Sequence, residues 1–189
     1  MTSFLFESRA TSLINIYLPE HFLINTTNYT YVKGQVFIDI LYFSPSCYNS
    51  NSNSKISNFL TIIIPALSEL FSTSITLRIT RIYYPFINSI ILGKYFVNNS
   101  DTTSFKKFFK SLGKTSRNPE KGLFVNVTGI RIKISGRLRS QPFIPKYTTE
   151  SLEFGIFNHK KYFIDNCEIS TTNSLGTFTL FISLCQKIS

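Results

Sequence analysis

The sequence predicts an α+β fold, laid out as two small layered units, and three observations carry that expectation. Residues 35–43 and 75–82 are rich in β-branched and aromatic residues, and 75–82 alternates apolar with polar, as a half-buried strand does. Between 123 and 138, Ile130, Ile132 and Ile134 alternate with Arg131 and Lys133, the period of a strand with one buried face. Residues 56–71, 86–97 and 104–112 instead repeat their apolar positions at helical spacing. Strands interleaved with short amphipathic helices bury their oily faces by stacking helices on sheets.

In chain order, residues 1–32 alternate only loosely. They contain Pro19 and the polar cluster Asn25-Thr26-Thr27-Asn28, which predicts an irregular or edge-strand extension. The strand at 35–43 ends at Ser44-Pro45, and the polar run Tyr48 to Ser54 reads as an exposed loop. A helix over 56–71 is expected to kink or divide at Pro65, where one backbone donor is missing. Arg78 and Arg81 add charge to the strand at 75–82. Pro85 suits the start of the next helix, whose broad apolar face is Phe86, Ile87, Ile90, Ile91 and Tyr95.

The helix at 104–112 has two faces. At about 100° per residue, Phe105, Phe108, Phe109 and Leu112 gather on one side and Lys106, Lys107, Lys110 and Lys114 on the other. Asp101, Thr102, Thr103 and Ser104 offer N-cap oxygens, and Gly113 suits the C′ position. A basic loop follows, then the isoleucine strand, then the basic turn carrying Arg137 and Arg139. That strand should belong to a sheet with one oily and one basic face. Two closing strands, 161–170 and 177–185, flank a polar turn around 171–176, with Phe178, Leu180, Ile182 and Leu184 sharing a face.

Charge narrows the functional classes. The 189-residue chain carries a formal net charge of +10, with a pI near 9.6. Between Arg78 and Lys161, sixteen Lys and Arg face four Asp and Glu, a local excess of +12 that exceeds the total. Lysines crowded on one helix face repel one another unless a polyanion or solvent takes the charge, so nucleic acid is the first partner expected, ahead of an anionic membrane surface. Catalysis finds no support. His21 and His159 stand apart, Asp165 and Glu168 fall on opposite faces of a strand, and no nucleophile, phosphate loop or cofactor motif is present. Cys47, Cys167 and Cys185 are too scattered for a disulfide framework or a metal site. The longest apolar run, 59–71, is interrupted by Pro65 and Glu69 and falls short of the ~20 residues of a membrane span. The first sixteen residues have neither a signal-peptide nor a transit-peptide pattern, and the usage of Phe, Ile, Asn, Tyr and Lys matches A+T-rich codons, which suggests an organelle genome.

Gly129-Ile-Arg-Ile-Lys-Ile-Ser-Gly-Arg-Leu138 resembles the small-subunit ribosomal protein S-three family, whose C-terminal domain carries a segment of the form GIK-x-x-x-SGRL. Upstream, Ser104-Phe-Lys-Lys-Phe-Phe-Lys110 is similar to that family's F-R-R-x-x-K helix, with lysine for arginine and the same relative order. Residues 75–85 look like its strand leading into an apolar helix, and Ile164-Asp165, Thr171-Thr172 and the closing strand look like its last hairpin. The family's first domain is a KH module, matched weakly by 36–82. Its GxxG phosphate clamp is absent, the Ser/Asn run standing in its place. After SGRL the chain departs again, with Arg139-Ser-Gln-Pro-Phe-Ile-Pro145.

The resemblance implies a reduced mitochondrial form, ahead of a plastid one, divided into an extension (1–32), a degenerate KH-like domain (33–84) and a C-terminal domain (85–189) of helices packed on a mostly antiparallel sheet. It further implies a non-enzymatic constituent of the small-subunit head that binds rRNA, meets neighbouring ribosomal proteins and lines the mRNA entry, with Lys106, Lys107 and Lys110 facing mRNA. The residues expected to contact RNA are Lys106, Lys107, Lys110, Lys114, Arg131, Lys133, Arg137 and Arg139. Lysine lacks arginine's planar fork, so phosphate attraction should persist while stacking and bidentate contacts weaken. The rival reading is a free-standing RNA-binding protein, which would stay at the top of a gradient in which small subunits sediment.

Overall fold

A computed structural model of the chain describes residues 2–18, 22–44, 51–99, 127–136, 149–157, 162–173 and 176–187. The fold is α+β, as the sequence predicts, and it divides into two compact units, Met1–Tyr83 and Tyr84–Ser189.

The first unit runs α1 (Thr2–Tyr17), β1 (Leu23–Ile24), β2 (Asn28–Val32), β3 (Gln35–Phe43), α2 (Asn51–Phe71) and β4 (Ser74–Ile82). Strand β3 is central. On one side it pairs antiparallel with β2 and, further along, with the short β1; on the other it pairs parallel with β4. Val36, Ile38, Ile40 and Tyr42 alternate along β3 into a core closed by Ala10 and Ile14 of α1 and by Phe59, Ile63 and Leu67 of α2. The i, i+4, i+8 spacing of that last trio makes one helical stripe.

Three local expectations change here. Residues 2–17 form a helix where an irregular extension is expected, because Ala10 and Ile14, one turn apart, are both completely buried. Exposed Leu5 and Ile16 on its opposite face blur the pattern that would have announced it. Helix α2 begins at Asn51, so part of the Ser/Asn run is helical rather than loop, and the rest of that run lies outside the described residues. Ser and Asn are favoured at helix starts as well as in loops, so composition alone does not separate the two. Finally, Pro65 sits inside α2 without ending it. Both Pro65 and Thr61, whose carbonyl loses its usual donor, are exposed, so water can serve that carbonyl.

The second unit runs from a 3-10 turn (Pro85–Ile87) into α3 (Ser89–Asn99), then β5 (Val127–Gly136), β6 (Thr149–Gly155), β7 (Tyr162–Asn173) and β8 (Gly176–Lys187). The four strands form an antiparallel sheet in the order β6-β5-β8-β7. Ile130, Ile132 and Ile134 from β5 meet Phe178, Leu180, Ile182 and Leu184 from β8, with Phe86, Leu92 and Phe96 packed on them. Helix α3 lies close against β7 and β8: a Cβ on Gly93 would stand 2.5 Å from Ile169 Cδ1 and 3.4 Å from Ile182 Cδ1. The helix starts at Ser89, later than Pro85 suggests, because Asn88 is extended and caps it. Asn88 Oδ1 accepts from the Ile90 and Ile91 N–H groups at 3.1 Å each. Asp165 of β7 adds a second acceptor, taking the Ser89 N–H at 2.9 Å. Ile87, expected on the apolar face, is exposed. Strand β6 has no counterpart among the strands expected from the sequence; the helix expected at 104–112 lies outside the described residues.

Candidate nucleic-acid interface

Burying the isoleucines of β5 turns Arg131 and Lys133 outward on the opposite face of the second unit's sheet, and both are exposed. The register sets Arg131 between Glu153 of β6 and Ser183 of β8, and Lys133 between Ser151 of β6 and Phe181 of β8. Arg131 engages Glu153 through two hydrogen bonds, Nε to Oε2 at 3.0 Å and Nη2 to Oε1 at 2.8 Å. Its guanidinium also lies 4.6 Å from the centre of the Phe157 ring. The Glu153 hydrogen bond raises the arginine's pKa further, and the same bond holds the Glu153 carboxyl below the usual carboxylate range.

This corrects the expectation of a uniformly basic sheet face. Strand β6 brings Glu153 beside Arg131, β7 places Glu168 opposite Phe181, and β8 ends in exposed Lys187 on the same alternation as Phe181 and Ser183, so on the described part of this face two carboxylates stand among three cations. The ion pair is open to solvent, with side chains half exposed (50% and 48%), so water and salt compete for it and another anion can replace either partner. Phe181, itself exposed, gives the face an aromatic surface next to Lys133.

A second arginine has the same company without the carboxylate bond. Arg78 is exposed on β4, its guanidinium 5.0 Å from the centre of the Phe37 ring, and it forms no ion pair among the described residues, although Asp39 lies opposite in register. Arg81 stands 5.3 Å from the Tyr83 ring. The Phe37 contact is not legible in the chain, because it depends on which residues face each other across strands, whereas Tyr83 lies only two residues beyond Arg81. Of the eight residues expected to contact RNA, the structure brings Arg131 and Lys133 to one face; Lys106, Lys107, Lys110, Lys114, Arg137 and Arg139 lie outside the described residues.

Asp165 and Glu168 fall on opposite faces of β7, Asp165 capping α3 and Glu168 exposed. Cys167 donates to the Ser89 carbonyl at 3.3 Å, and burial pushes its thiol up to about 11. No group of three or more His, Cys, Asp and Glu that could hold a metal ion occurs among the described residues. No helix there is long and apolar enough to cross a membrane.

An exposed arginine and lysine on one sheet face of an α+β chain of net charge +10 form the kind of electrostatic footprint that a polyanion can meet. Residues 22–187 match the family model described as mitochondrial ribosomal protein (VAR1). The chain is also similar to the small ribosomal subunit protein uS3m of Mycosarcoma maydis, 26% identical over 183 residues that cover 88% of this chain and 69% of that protein. The chain belongs to the mitochondrial ribosomal protein (VAR1) family, and the S-three resemblance read from its residues agrees with both comparisons. Its place is the mitochondrion.

Proposed function

We infer that this protein is a structural, non-catalytic constituent of the mitochondrial small ribosomal subunit that binds rRNA in the head and borders the path by which mRNA enters. The observation that carries the reading is the sidedness of β5. Ile130, Ile132 and Ile134 are sealed in the core, and that burial fixes Arg131 and Lys133 outward. Phosphate contacts supply most of the affinity of such a face and give it a steep salt dependence. The flanking Glu153 and Glu168 lower non-specific attraction, so RNA held here must displace a carboxylate rather than merely find positive charge.

The first unit serves, on this reading, as a degenerate KH-like domain over 33–84, preceded by an extension (1–32) and followed by the C-terminal domain (85–189). Its strand-helix-strand core, with β3 and β4 parallel, supports that assignment. Without a GxxG turn it would not clamp nucleotides through its backbone. The mRNA contact falls to Lys106, Lys107 and Lys110 by their match to the family's basic helix.

Replacing those three lysines with alanine tests the entry role. Small-subunit occupancy of the variant is measured first, then translation of structured and unstructured messages. Normal occupancy with a loss concentrated on structured messages is expected. Normal occupancy with equal loss on both contradicts the entry role, and failed occupancy assigns the lysines to rRNA instead.

A further inference from the structure

At the start of β3, at the opposite end of the strand from residue 44, the first unit holds an open cleft of about 360 Å3. Its walls include Phe6 from α1, Tyr31 from β2 and Phe71 at the end of α2. The Phe6 and Phe71 rings stand 6.2 Å apart, and the Tyr31 hydroxyl donates to Glu7 Oε1 at 2.9 Å, which fixes the tyrosine ring as a wall. The two-residue turn joining β2 to β3, Lys33-Gly34, forms part of the rim. Both residues have positive φ (42° and 80°), the geometry of a type I′ hairpin. Nothing lies within 4 Å of where a Cβ on Gly34 would stand, so the turn backbone is open to approach. Thr73 also lines the cleft, and its hydroxyl is buried with no hydrogen-bond partner among the described residues.

These features match three needs of one kind of ligand. A nucleobase taken out of its stack requires flat aromatic surface, a hydrogen-bonding group for its edge and a cation for its phosphate. Phe6, Tyr31 and Phe71 supply the first, the amide of exposed Gln35 the second and Lys33, the single charged residue in the lining, the third. A cleft of this size lies within the range of about 300–1,000 Å3 found for small-ligand sites. We propose that the cleft receives an unpaired nucleobase of RNA, stacked against Tyr31 with its phosphate on Lys33. The proposal rests on the rRNA-binding reading and adds a base-holding site to it, on a unit whose GxxG clamp is missing.

The test uses the full chain and two RNA hairpins of equal length, one with a single bulged 2-aminopurine and one fully paired with 2-aminopurine at the same position. The bulged hairpin should bind on the order of tenfold more tightly and lose fluorescence as its base stacks. Tyr31→Ala should abolish both the preference and the quenching, Tyr31→Phe should retain them, and Lys33→Gln should weaken both hairpins and lower the salt slope by about one. Equal affinities, or quenching unchanged by Tyr31→Ala, overturn the cleft while leaving the rRNA reading in place; binding to neither hairpin overturns both. In assembled small subunits, a photoreactive amino acid in place of Tyr31 should crosslink to RNA, and a crosslink to a neighbouring protein instead overturns the proposal.

Discussion

The two sheets each bury one face, yet their outward arginines differ. On the first unit Arg78 lies over Phe37 and forms no ion pair among the described residues, whereas on the second Arg131 lies over Phe157 and is also held by Glu153 through two hydrogen bonds. An aromatic ring beneath a guanidinium orients its plane in both cases. The carboxylate adds a competitor in only one. Arg78 can meet a phosphate directly, while Arg131 meets one by exchanging Glu153. The second face is therefore the more selective of the two and the more sensitive to what happens on β6.

The comparison presupposes that each sheet is anchored by its own core, and breaking those cores should produce the largest effects. Leu180 is completely buried in the second unit, so Leu180→Ala should cost about 2–5 kcal/mol in denaturant unfolding. Ile14 is equally buried under α1, but alanine is the better helix former and its propensity offsets part of the loss, so Ile14→Ala should fall near the lower end, about 2–3 kcal/mol. If Ile14→Ala proves neutral, α1 is not part of the first unit's core.

A smaller effect is expected at the tie between β7 and α3. Asp165→Ala removes the acceptor from the Ser89 N–H and should cost about 0.5–2 kcal/mol, with Asp165→Asn milder because it keeps an acceptor. Cys167 beside it offers a pH readout. Burial raises its thiol from 9.0 to about 11, so the fold binds that proton more tightly than the unfolded chain. The resulting stabilisation should be fully present below about pH 9 and lost as pH rises towards 11. In a Cys47→Ser chain at pH 8, iodoacetamide should label Cys167 slowly until the protein is unfolded, and rapid labelling of the folded protein would contradict this burial.

The sequence was most legible where one period ran uninterrupted. Ile130, Ile132 and Ile134 with Phe178, Leu180, Ile182 and Leu184 declare both strands and their shared face, because alternation in a strand leaves only one way to bury them. Helix α1 was hidden because Leu5 and Ile16 place apolar residues on the side opposite Ala10 and Ile14. Strand β6 was hidden because Glu150, Ser151 and Glu153 on an edge strand resemble a loop in composition. Missing β6 meant missing Glu153, and with it the conversion of a basic face into a paired one. The site was half legible for that reason: which cations point outward follows from the chain, and what they touch follows from pairing across strands.

The smallest stability effects belong to the outward faces themselves. Glu153→Gln should leave unfolding unchanged, since the Arg131 pair is exposed, yet it should strengthen RNA binding by removing the competitor. Arg78→Ala should weaken RNA binding without any such dependence on β6.

The most direct measurement is competitive incorporation of an Arg131→Ala/Lys133→Ala chain against the unaltered protein into mitochondrial small subunits. Both side chains are exposed, so the doubly altered chain should fold normally. If the outer face of β5 is an rRNA contact, the unaltered protein should displace the variant, most strongly at low salt and less so as salt is raised, because the variant makes fewer phosphate contacts and its affinity falls less steeply with salt. Equal occupancy of the two chains at every salt concentration would contradict it.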